Sequence, residues 1–278
     1  MGGVNIYGAY FSEPGDNVDC NTASDILWGS EASLAGGVNA VDDPQNAIDG
    51  DTSTYAELHA TVSVLGKTHI TALYPITSIA GDSVRVVFQN PGGLLNLDLL
   101  SSALTIRTFL DNEDNGILDL DANVLKLSLL PGDSDVQIIT YPVNVLFNRI
   151  QVAIGEGVAT ALGALRVYDL SSIMKSPEVT SPQFVDDVAY ACYGNPVTLN
   201  IASPLANSIY RWYTVAAGGT SVFTGTSYAP DTTIAGTRFF YVSEMRNGCT
   251  DETGRTPVKL VVLPSYGNPD IAIEHTTN

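Results

Sequence analysis

Apolar and polar residues alternate with a period of two over short runs through most of this chain, and long helical periodicity is nearly absent. β-branched and aromatic runs of this kind, broken by Gly, Pro, Asn and Asp, predict strands. In the first part they fall near His69–Tyr74, Ser83–Gln89, Leu104–Leu110, Val124–Leu130, Val136–Tyr141, Phe147–Ile154 and Ala164–Leu170. Further on they recur near Val197–Ile201, Ile209–Thr214, Thr237–Glu244 and Pro257–Leu263. One short helical turn is predicted over Leu94–Leu104. Short strands at this spacing indicate β-sandwiches, the first of jelly-roll kind.

Between the two groups of strands the sequence reads SSIMKSPEVTSP, where prolines and Ser/Thr interrupt the alternation. The expected organisation is a sandwich over residues 1–172, a short semi-stiff linker at 173–183, a smaller sandwich at 184–264, and a tail or the start of another module at 265–278. The second module has the size of an immunoglobulin-like domain.

Hydrophobic residues make up 45% of the 278 positions, enough to fill packed cores. The formal charge of −18 sits unevenly. Residues 1–172 hold 21 acidic against 6 basic side chains, a net of −15, while residues 184–264 hold 6 against 5. Such a balance disfavours nucleic acid and acidic lipid as partners and favours cations, or simply a soluble surface. The sequence has no run of apolar residues long enough to span a bilayer as a helix. Met1-Gly2-Gly3-Val4 lacks the features of a signal peptide, so the chain is expected to be a piece of a longer exported precursor. Cys192 and Cys249 bracket one β-rich stretch, and Cys20 stands apart. A Cys192–Cys249 bridge across 57 residues would add ~4 kcal/mol; the alternative is three free thiols.

The second module carries a resemblance. ACYGNPVTLNI, YRWYTVAAGGTSVFTGTSYAP and TRFFYVSEMRNGCTDETGRTPVKLVV resemble the Ig-like domains found in tandem in secreted surface proteins of Bacteroidetes. Cys192, Gly194, Trp212, Tyr213, Gly218, Gly219, Tyr228, Tyr241, Asn247, Gly248 and Cys249 fall on that pattern in order. The resemblance implies a spacer or presenting domain without catalysis. Independently, Trp212 is the largest apolar anchor for a small core, and Gly218-Gly219 permits a tight hairpin. Cys192 precedes its strand and Cys249 follows one, so a bridge between them is expected to clamp an end of the domain.

In the first module, VDDPQNAIDGDTSTYAEL resembles the opening of discoidin-like, galactose-binding sandwiches. Such modules commonly bind a glycan or lipid headgroup at loop tips and often hold structural calcium. A looser likeness to a module of Bacteroidetes adhesin-like proteins runs through GDSVRVVF, FNRIQVAIG and LRVYDL. No loop aromatic can be matched to a sugar site, so the ligand-binding residues are unassigned.

The sharpest chemical signal is Asp111–Asp121. Oxygen side chains at Asp111, Glu113 and Asn115, the carbonyl of Ile117, and Asp119 follow the opening of an EF-hand loop. Ala122 stands where the bidentate Glu belongs, leaving Asp121 as a substitute, and the plainer reading is an acidic hairpin. Structural calcium is the one cofactor expected. Asp49-Gly50-Asp51 with Ser53 reads as a capped turn before a second cation site. Gly81-Asp82-Ser83 and Gly132-Asp133-Ser134 each start a strand and read as turns, not nucleophile blocks. His59 and His69 form no ligand or triad spacing. Gly66-Lys67-Thr68 lacks the first glycine of a phosphate loop, and Gly155-x-Gly157 lacks the third of a dinucleotide fingerprint.

The chain is therefore expected to be a non-catalytic cell-surface adhesion or ligand-presenting fragment, secreted and outer-membrane associated, whose partners are a glycan or a surface protein and further modules of its precursor. The alternative is a carbohydrate-binding module pair from a secreted polysaccharide-degrading enzyme. Acidic pairs abound, but nothing in the sequence singles out a catalytic one.

Overall fold

A computed structural model describes residues 18–31, 41–60, 67–93, 104–120, 126–155 and 163–265. The helical turn expected at Leu94–Leu104 lies outside them except for Leu104, which opens a strand. The chain divides into two compact units, Met1–Lys175 with Gly248–Asp251, and Ser176–Asn247 with Glu252–Asn278.

The first unit is all β. Its described strands are β1 (Asp25–Glu31), β2 (Val41–Asp42), β3 (Ala56–His59), β4 (Lys67–Leu73), β5 (Ser83–Gln89), β6 (Leu104–Leu110), β7 (Glu113–Ile117), β8 (Lys126–Leu129), β9 (Gln137–Pro142), β10 (Arg149–Ile154) and β11 (Ala164–Ile173). They make a five-stranded sheet, β1-β4-β10-β6-β7, and a six-stranded sheet, β2-β3-β11-β5-β9-β8. Alternation decides the facing: Val84, Val86 and Phe88 of β5 point inward with Leu58, Val167 and Ile139, and meet Ile70, Ile106, Ile150 and Val152 of the other sheet. Each such side chain contributes about 1.5–3 kcal/mol on burial. The expected sandwich is present.

The stretch Asp111–Asp121 departs from the expected curled loop. β6 and β7 pair antiparallel, with Leu110 opposite Glu113 and Asp111-Asn112 as the turn. Asp111 takes a left-handed φ of 54° and its carboxylate accepts from the Asn148 amide at 2.7 Å. Asp114 accepts from Arg107 across the ladder at 2.7 Å. Extended pairing thus spreads Glu113, Asn115 and Ile117 along a strand, where a calcium loop would fold them inward. Asp119 follows the strand, and Asp121 lies outside the described residues. Among the described residues no group of three or more His, Cys, Asp or Glu side chains has the arrangement to hold a metal ion.

In the second unit, β12 (Val179–Thr180), β15 (Leu199–Ile201) and β18 (Ser227–Tyr228) form a three-stranded sheet. The other six strands are β13 (Phe184–Val185), β14 (Val188–Cys192), β16 (Ile209–Tyr213), β17 (Phe223–Thr224), β19 (Gly236–Met245) and β20 (Thr256–Leu263), ordered β13-β14-β20-β19-β16-β17. Trp212 is fully buried at the centre, 5.3 Å from the Tyr228 ring, and donates to the Gly225 carbonyl. Gly218 and Gly219 both hold positive φ, but they lie in the longer loop 214–222 that joins β16 to β17 and not in the expected tight hairpin. The stretch expected as linker is partly structured, since β11 runs to Ile173 and β12 pairs with β15.

The disulfide joins Cys20 to Cys249, and Cys192 is free and exposed, which corrects the expected Cys192–Cys249 pairing. Sheet geometry gives the reason. Cys192 lies opposite Leu263, near the Gly236 end of β19, whereas Cys249 lies beyond Met245 at the other end. The ten residues of β19 separate those ends by about 30 Å, far beyond disulfide reach. Within the first unit Cys249 is held beside Cys20 by paired backbone bonds, Val18 to Gly248 and Thr250 to Val18, and by packing on Met174.

Candidate functional site

Six-stranded pairing in the first unit builds a polar row that no single segment of sequence displays. Asp42 of β2 lies opposite Glu57 of β3, Glu57 opposite Arg166 of β11, and Arg166 opposite Gln89 of β5. All four occupy the sheet's outer face, because their neighbours Leu58, Val167 and Phe88 are buried in the core. Arg166 donates from Nε to Glu57 at 2.9 Å, and its guanidinium lies 4.7 Å from the Tyr55 ring centroid. At the row's end His59 Nε2 meets Asp42 at 2.9 Å.

A β-bulge widens this face. The register of β11 against β5 shifts between Val167 and Asp169, so Tyr168 and Asp169 both face outward. Tyr168 packs 5.3 Å from Tyr55 and donates its hydroxyl to Gln89 at 2.9 Å. Val87, Val136, Leu130 and Ile138 gather with the two tyrosines and wall one side of the row. Asp169 is bound by Arg85 and Ser171.

Exposure is highest at the Asp42 and His59 end of the row. The side chains of Asp42 and His59 are 60% and 40% exposed, against 31% for Arg166 and 21% for Glu57. The hydrogen bond it donates to Glu57 raises the Arg166 guanidinium above its ordinary value, so its charge is fixed. Burial raises the Tyr168 hydroxyl, which stays protonated and a donor at neutral pH. Burial likewise raises Asp169, and the bonds from Ser171 and Arg85 only partly offset it. A partly buried aromatic ring beside an ordered array of acceptors and donors is suited to holding a polar molecule with apolar faces.

The other sequence candidates resolve into turns. Asp49 accepts from the Asp51 amide and Thr54 hydroxyl, and Asp51 from Ser53, so this segment caps the turn that delivers Tyr55 into the row. Hydrogen bonds from Ser53 hold the Asp51 carboxyl below its ordinary value. Asp82 accepts the backbone amides of Ile79 and Lys175, and Asp133 those of Asp135 and Val136. His59 and His69 lie in different sheets. Gly66 and Gly157 lie outside the described residues.

The second unit carries a polar network too. Glu252 accepts from Arg211, Tyr213 and Ser243, the last two at 2.8 and 2.6 Å. Burial opposes its ionisation, but the bonds from Ser243, Arg211 and Tyr213 prevail and hold its carboxyl below the ordinary glutamate value. Arg255 covers the Tyr213 ring and donates to the carbonyls of Val215 and Gly218, tying down the loop between β16 and β17.

Residues 180–264 match the sequence profile of the Ig-like domain described as CHU_C associated. The second unit is thus Ig-like in sequence as well as in its strands. Among solved structures, the chain is similar to a family 32 carbohydrate-binding module, CBM32-1, from a family 31 glycoside hydrolase of Clostridium perfringens, at 14% identity and a TM-score of 0.31, over 58% of this chain and 99% of that one. The family 32 module of C. perfringens NanJ, solved with galactose, is 13% identical with a TM-score of 0.32, over 55% and 98%. The adhesin domain of Epf from Streptococcus pyogenes is 12% identical with a TM-score of 0.30, over 77% and 78%. No curated protein matches the sequence. No helix among the described residues is long and apolar enough to cross a membrane.

Proposed function

We propose that this chain is a non-catalytic, carbohydrate-binding piece of a secreted or surface-attached bacterial protein, serving adhesion. The first unit binds glycan on the outer face of its six-stranded sheet, and the Ig-like unit acts as a spacer. The observation that carries this reading is the row Asp42–Glu57–Arg166–Gln89 with Tyr55 partly buried beside it. Sugars present hydroxyls that pair with planar carboxylate, guanidinium and amide groups, and C–H faces that lie against aromatic rings. Both kinds of group occur here, held by strand register before any ligand arrives.

A glycan array probed with the full chain, and with Tyr55→Ala and Glu57→Ala, tests the proposal. The expected result is retention on a set of related glycans that both substitutions abolish while the thermal midpoint stays within a few degrees. Retention that survives both substitutions contradicts it.

A further inference from the structure

We infer that the row reads an uncharged oligosaccharide laid across the strands, rather than a single terminal sugar or an acidic glycan. This rests on the carbohydrate reading above and specifies its ligand.

Length is the first argument. The four row residues come from four adjacent strands, each about 4.8 Å from the next, so the row extends over about 14 Å. That is more than one sugar ring can cover. The groups stand in line across an open sheet face, not around a point, and the most exposed of them, Asp42 and His59, mark one end. A terminal sugar would leave part of the row facing water; a chain running perpendicular to the strands meets it throughout.

Charge is the second argument. Arg166 is committed to Glu57 and stacked on Tyr55, and the neighbouring Arg85 is committed to Asp169. An incoming carboxylate or sulfate would have to displace a carboxylate already in place at either arginine. It would also approach a stretch whose 21 acidic and 6 basic residues leave a net of −15 across positions 1–172. Neutral hydroxyls incur neither cost. They can accept from the remaining N–H groups of Arg166 and donate to the Tyr168 oxygen, Glu57 and Asp42 without a change of partners.

Isothermal titration of the full chain with neutral galacto-, manno- and cello-oligosaccharides, from monosaccharide to hexasaccharide, and with the oligogalacturonide ladder, tests this. In at least one neutral series, affinity should rise about tenfold or more between monosaccharide and trisaccharide and then level off. The galacturonide ladder should bind at least about tenfold more weakly than the responding neutral series. Asp42→Asn, at the exposed end, should weaken the longer oligomers and leave the shortest unchanged. A monosaccharide that binds as tightly as its trisaccharide, or a galacturonide that equals the neutral series, overturns the inference while the carbohydrate reading stands, provided Tyr55→Ala removes the binding. Absence of binding heat from every ladder, or binding untouched by Tyr55→Ala, Glu57→Gln and Asp42→Asn together, overturns both.

Discussion

The two six-stranded sheets of this chain carry the same kinds of side chain on their outer faces and arrange them to opposite effect. In the Ig-like unit one carboxylate, Glu252, gathers Arg211, Tyr213 and Ser243 onto itself. In the first unit the acidic, basic and aromatic groups are strung across four strands, and Asp42 at one end is the most exposed of the charged ones. A carboxylate that has collected three donors has little left to offer a ligand. A row whose acceptors remain partly solvated can exchange water for sugar hydroxyls. Composition alone would rank the two faces alike; connectivity separates a brace from a binding surface.

That contrast can be attacked in order of expected effect. The largest is covalent and belongs to the first unit. Cys20→Ser opens a bond that spans 229 residues and should lower stability by about 5 kcal/mol, near the upper end for a native bridge. Cys192→Ser, which alters an exposed free thiol, should leave the unfolding midpoint in denaturant unchanged.

Next comes the closed network. Glu252→Ala strands three donors and should cost the Ig-like unit about 2 kcal/mol, discounted for the partial exposure of the Arg211 pair. Glu57→Ala in the open row should cost about 1 kcal/mol or less, yet abolish glycan binding. Differential scanning calorimetry of both variants measures the pair directly. Equal losses would erase the distinction between brace and row.

The pH dependence sharpens the comparison further. Glu252 is held below its ordinary value of 4.5, so its contribution is present above that value and lost as pH falls through the depressed one. Asp169 is raised above 3.8, so its protonated form is favoured by folding. Its contribution is present below 3.8 and lost as pH rises through the raised value. These two groups therefore act in opposite directions on acidification, against the Ig-like unit and in favour of the first. Glu252→Gln should flatten the acid-side fall of the Ig-like unit in a melting series taken below pH 4.5. An unchanged slope would remove Glu252 from the account. The smallest effect concerns the Asp111 hairpin, whose acids are already held by Asn148 and Arg107. Calcium added to the chelated protein should leave the melting midpoint where it is.

Local pattern made much of the fold legible. Ser83–Val86 and Leu104–Arg107 alternate polar and apolar residues, and strands form over Ser83–Gln89 and Leu104–Leu110. Asp25–Glu31 escaped notice because it is an edge strand that exposes Leu27 and Trp28, so its alternation is blurred. Glu113–Ile117 looked like a loop because its residues are acidic and include Gly116, but pairing to β6 outweighs those preferences. The row was hidden for another reason. Tyr55, Glu57 and His59 alternate visibly, as do Arg166 and Tyr168, but they meet only through a register joining segments over a hundred positions apart. Cysteine pairing is non-local in the same way. Three thiols offer three pairings, and the β19 strand forbids the one that nearness in sequence favours.

Backbone amide shifts followed by NMR during titration with a bound oligosaccharide locate the sugar on the molecule. Perturbed amides are expected to cluster at Tyr55–His59, Gln89 and Arg166–Tyr168, with Ser243 and Glu252 unmoved. Perturbation confined to loop tips distant from β3 and β11, or centred on Glu252, would contradict the proposed site.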